Sequence, residues 1–151
     1  MSTRIFQNSM MRKSLFFMLL LGACSSDLSD EAIAPASFPD EVINLNLPAY
    51  NDLRTKGWMY INTIGVRGVI LYHVPNTLDY YAFERNCTFQ PYEACSTVEV
   101  HSSGLFMIDP CCSSQFDFSG NPMSTPAVTP LRRYDIGKAG DNTIIITDNI
   151  F

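Results

Sequence analysis

Cysteines 111 and 112 stand side by side in Asp109-Pro110-Cys111-Cys112-Ser113-Ser114-Gln115-Phe116-Asp117, with Cys87 and Cys95 upstream. Thiols can ligate a soft metal, close disulfides or pass electrons as a dithiol pair. Cysteines that chelate one metal are usually separated by about two residues so that both sulfurs converge, which adjacent cysteines do poorly. A Cys111–Cys112 ring would be strained and unusually reducible, the device of a thiol–disulfide redox module. Against it, the chain has no C-x-x-C motif and no helix N-terminus to lower a thiol pKa. His73 ends the apolar run VILY and His101 sits in a Ser-Gly turn, so neither offers itself as a base for Cys112, Ser113 or Ser114. With no nucleophile–base pair, the expectation is a protein that is not an enzyme.

What those thiols do depends on where the chain lives. Arg4, Arg12 and Lys13 precede the apolar run 15–21, which is too short for a bilayer span of ~20 residues. It ends in Leu21-Gly22-Ala23-Cys24, which resembles the lipobox of bacterial lipoproteins and implies a signal peptide over 1–23 and a lipidated Cys24. Met10 or Met11 can equally start such a signal. The remaining 128 residues suit one domain and a tether. They keep 7 of the 10 basic residues against 15 acidic ones, near −8, which disfavours nucleic acid and anionic headgroups as partners. A lipid anchor places the domain at the outer membrane, facing periplasm or cell surface, where thiols are usually oxidised. Four cysteines beyond Cys24 then suggest two bridges.

Two kinds of segment must position them. Residues 25–39 are mostly Ser, Asp, Glu, Ala and Pro, unable to bury enough surface to offset ordering entropy. The tether is drawn over 24–45 and the folded domain over 46–151. Asp27, Asp30 and Glu31 resemble the acidic surface-export signals of some lipoproteins, and read equally as a solvated linker. Beyond Val42 come short β-type runs at 58–61, 68–74, 79–83, 97–100, 104–109, 130–136 and 142–148, with a hairpin turn at His101–Gly104. No window carries a helical period. An antiparallel all-β barrel or sandwich follows, its aromatics filling the core. Arg132 and Arg133 read as strand-edge charges, one of them paired with an acid.

Asn86-Cys87-Thr88-Phe89, the segment 109–117 and STPAVTPLRRYDI at 124–136 together resemble the Rieske iron–sulfur domain. That family has a C-x-H loop, a C-P-x-H-G-S-x-F-D loop, then a Pro-Ala segment and a Pro-Leu-x-x-Tyr strand. The resemblance implies a Rieske-like fold with two Cys-bearing loops at one tip. It puts the [2Fe–2S] ligand positions on Cys87, Phe89, Asp109 and Cys112, of which only Cys87 keeps its ligand type. It also implies a Cys95–Cys111 loop-to-loop disulfide, leaving Cys87 opposite Cys112 to form a second bridge. Phe89 and Tyr92 would pack over that closed site or form an exposed apolar tip for a partner. The leading expectation is a cluster-free binding or structural module with no metal, held at the membrane by its lipid and facing an envelope protein partner. A Rieske electron carrier with unusual ligation is the alternative, and a thiol–disulfide redox module the third.

Overall fold

The computed structural model describes Ile33 and residues 36–151; Cys24, the signal segment and most of the tether lie outside the described residues. Strand alternation builds the larger sheet. In β3 (Val69–His73), Val69 and Leu71 face one side and Ile70 the other, and all three are fully buried. A strand buried on both faces needs a cover on each. β3 lies between β2 (Trp58–Ile61) and β4 (Tyr80–Glu84), and the antiparallel sheet continues through β9 (Arg133–Lys138) and β10 (Thr143–Ile150) to β1 (Glu41–Asn44).

On one face Ile43, Leu71, Ala82, Tyr134, Ile144 and Ile146 pack beneath Leu53 of α1 (Asn51–Thr55). The other face is covered by a second, four-stranded sheet inserted between the hydrogen-bonded neighbours β4 and β9. Its strands are β5 (Glu99–Val100), β6 (Met107–Ile108), β7 (Gln115–Phe116) and β8 (Pro122–Ser124), all antiparallel. Val100, Met107 and Phe116 meet Ile70 and Phe83 across the gap. Gly120 lets the inserted chain approach: it holds φ +86°, and a Cβ there would stand 2.7 Å from Phe83 Cε1.

The fold is all-β, as expected, with two departures. Glu41–Asn44 pairs with β10, Ile43 opposite Ile144, so the folded domain begins before residue 46 and the tether ends before 45. Phe38, farther back, meets Tyr134 edge-on with ring centroids 5.1 Å apart. The pairing joins residues about a hundred positions apart, which local pattern does not reveal. α1 is a single turn with one buried residue, too short to show a period. Arg133 lies over the Tyr81 and Phe151 rings, and Arg132 donates to the Ile33 carbonyl. Among the described residues no helix is long and apolar enough to cross a membrane.

Candidate functional site

Because β5 and β6 are antiparallel, the chain entering β5 and the chain leaving β6 lie at one end of the small sheet, with the 101–106 turn at the other. The first carries residues 85–98 with Cys87 and Cys95; the second, 109–114, carries Cys111 and Cys112. Each loop turns through a non-glycine residue in the left-handed region, Gln90 at φ 48° and Ser113 at φ 65°, a conformation that needs support from its surroundings. Arg67 supplies part of it, donating to the carbonyls of Pro91, Glu93 and Ala94 at 3.3, 2.6 and 2.7 Å. Thr88 ties the first loop to Thr129 O at 2.8 Å, and Ala127 N–H donates to Ser114 Oγ at 3.0 Å.

A Cys95–Cys111 disulfide joins the two loops, its Cα atoms 5.5 Å apart. Cys111 is therefore committed, and the Cys111–Cys112 ring of the redox reading does not form. The expected Cys87–Cys112 bridge does not form either: both are free thiols. The fully buried Asp109 carboxylate engages both sulfurs. Cys112 Sγ sits 3.4 Å from Asp109 Oδ2 and 3.0 Å from Ser114 Oγ. Asp109 also accepts from Cys111 N–H at 2.8 Å and from the Ser96 hydroxyl at 3.4 Å. None of these donors is a cation. Burial pushes the Cys87 thiol up; the Phe89 N–H pulls the other way, and Asp109 and Cys112 add to the rise.

The ligand atoms of Cys87, Asp109 and Cys112 all lie within 4.8 Å of one another. Three of the four positions that the Rieske resemblance singles out are thus brought together with a donor on each. At the fourth, Phe89 is buried in the apolar cluster of Cys87, Val98, Met107 and Phe116, with Cys112 packed against it. Tyr92 instead projects outward, 69% exposed, so the two aromatics do not share a role. His73 bonds Thr77 O and stacks on Tyr80; His101 meets Ser103 Oγ and stacks on Phe106, and neither belongs to the group formed by Cys87, Asp109 and Cys112. Sequence reasoning missed Ser96 and Arg67, which carry no motif. Ser114 lies in the 109–117 segment, where its type alone suggests a nucleophile rather than a partner for Cys112.

A second buried acid stands where β4 leaves the large sheet. Glu84 accepts from Val66 N–H (2.7 Å), Arg67 N–H (3.0 Å), Asn86 N–H (2.9 Å) and the Tyr134 hydroxyl (2.7 Å). Gly65, at φ +84°, makes room: a Cβ there would lie 2.8 Å from Glu84 Oε2. Burial, then Glu84, pushes the Tyr134 hydroxyl up.

No protein-family model matches the chain, and no curated protein does. Among solved structures it is similar to the plasma membrane Rieske protein PetC3 of the cyanobacterium Synechocystis PCC 6803. The match has 24% identity and a TM-score of 0.51, and covers 64% of this chain and 92% of that one. The fold is Rieske-like.

Proposed function

We propose, from a Rieske-like fold whose loops no longer offer that fold's ligands, that this is a lipid-anchored envelope protein acting as a cluster-free binding or structural module. One observation carries the reading: position 89 is a phenylalanine, 8% exposed and packed into the apolar cluster beside Cys87. A [2Fe–2S] centre of the Rieske type takes two thiolates on one iron and two imidazoles on the other. Here the corresponding positions offer two thiols, one carboxylate and a ring with no lone pair to give. Carboxylate oxygen is a hard donor, poorly matched to an iron–sulfur unit. The residues do not fit the cluster. The small sheet and its disulfide-joined loops remain as a surface held at the membrane, and an envelope protein is the partner that such a position favours.

Attachment is drawn from Cys24 in its lipobox-like setting, and the neighbouring fold belongs to a plasma membrane protein by its own description. The outer membrane is the face proposed. Two measurements on the full chain test the reading. Cys24→Ser should abolish lipid labelling and release the protein from the membrane fraction. Iron and acid-labile sulfide should both be well under one per chain; two of each would restore the electron-carrier alternative.

A further inference from the structure

We propose that Cys87, Asp109 and Cys112 hold a single thiophilic divalent cation, of the Zn²⁺ class, at positions the resemblance assigns to the lost cluster. The proposal rests on the reading that the cluster is gone and says what replaces it.

The geometry is that of ligands already gathered. In a tetrahedral zinc site with Zn–S near 2.3 Å and Zn–O near 2.0 Å, a sulfur and an oxygen ligand stand about 3.5 Å from each other and two sulfurs about 3.8 Å. Asp109 Oδ2 and Cys112 Sγ are 3.4 Å apart, and Cys87 Sγ completes a triangle with no side beyond 4.8 Å. The ligands come from two loops, so chelation does not require the adjacent pair Cys111 and Cys112 to converge. Two sulfurs and one carboxylate select a borderline-soft ion over calcium or magnesium, which take oxygen. Three protein ligands leave one tetrahedral position to a water molecule, since Phe89 adds none.

Proton and charge balance follow. Binding displaces one proton from each thiol to solvent, and two thiolates with a carboxylate leave one excess negative charge around a doubly charged cation. Donors for that charge are in place. The Phe89 N–H bonds Cys87 and the Cys111 N–H bonds Asp109 Oδ1. Ser114 Oγ accepts from Ala127 N–H and, in the metal-free chain, from the Cys112 thiol; once that thiol is deprotonated the Ser114 hydroxyl can turn its own proton to the sulfur. Such outer contacts orient metal ligands and set their affinity. The Cys95–Cys111 bridge holds the two loops in register from outside the ligand set.

The test uses the full chain purified in detergent and probed with Zn²⁺ and Co²⁺. One zinc per chain is expected after dialysis, and Co²⁺ should give a thiolate-to-cobalt charge-transfer band that Zn²⁺ displaces. Cys87→Ser and Cys112→Ser should each lose the band. Asp109→Asn should weaken Zn²⁺ by more than the roughly hundredfold that marks the upper end for outer partners. A wild-type chain that takes up neither ion overturns the proposal whether or not the variants fold. So does uptake that survives in both serine variants, or a Cys87–Cys112 disulfide in protein alkylated at lysis. Two irons with acid-labile sulfide would instead overturn the underlying reading.

Discussion

Glu84 and Asp109 are both fully buried carboxylates, each at a junction between a strand and a loop, and they are treated in opposite ways. Glu84 is surrounded by three backbone N–H groups and a tyrosine hydroxyl, all at 2.7–3.0 Å. Its environment is fixed by the fold and has nothing left to accept. Asp109 has one close backbone donor, Cys111 N–H at 2.8 Å, and otherwise faces a hydroxyl at 3.4 Å and two thiols. Those partners can turn, lose protons or become ligands. A buried charge saturated by main-chain donors is architecture, whereas one facing soft, ionisable groups is a place where chemistry can be exchanged.

Near-isosteric amides break the comparison most sharply. Glu84→Gln sets an NH₂ against fixed N–H donors and removes the charge they serve, which should cost about 4 kcal/mol. Asp109→Asn keeps an oxygen for Cys111 N–H and offers its NH₂ to sulfur and hydroxyl acceptors, so the metal-free chain should lose under about 1 kcal/mol. Urea unfolding of both in chelator measures the gap, and equal losses would erase the distinction. Next in size is the staple beside Asp109. Cys95→Ala with Cys111→Ala opens a loop of sequence separation 16, which should cost about 3 kcal/mol on the chain-entropy account. Smaller than either loss at Glu84 or the staple is that of Tyr134→Phe, which removes one donor from Glu84 for about 1.5 kcal/mol at neutral pH. Tyr134 has a folded pKa raised above its ordinary value of 10.0, so its contribution is full below that pH and lost as pH rises through the folded value. The difference between wild type and Tyr134→Phe should therefore shrink in alkaline urea titrations; a constant difference would contradict the assignment.

The tip was more legible than the frame that carries it. Its residues are clustered in two short segments whose order matches the Rieske resemblance, so Cys87, Asp109, Cys112 and the Cys95–Cys111 pair are legible in the sequence. The seven expected strands all have counterparts because each is a short run of large apolar, mostly β-branched or aromatic residues bounded by turn residues. β1, β7 and β8 escaped because each is two to four residues long and is held by partners distant in sequence or by a bulged register. An even number of cysteines suggests a second disulfide, but it cannot show that a carboxylate stands against two free sulfurs. Glu84 was invisible as a site since its four donors come from three separate parts of the chain.

The central claim, that this Rieske-like tip no longer holds an iron–sulfur cluster, is met most directly by the low-temperature electron-resonance spectrum of the full chain after dithionite reduction. A reduced Rieske cluster carries one unpaired electron spread over two irons and gives a characteristic signal. With Phe89 and Asp109 at two of its four ligand positions, this chain should be silent at stoichiometric sensitivity. A Rieske-type signal accounting for one spin per chain would contradict the account.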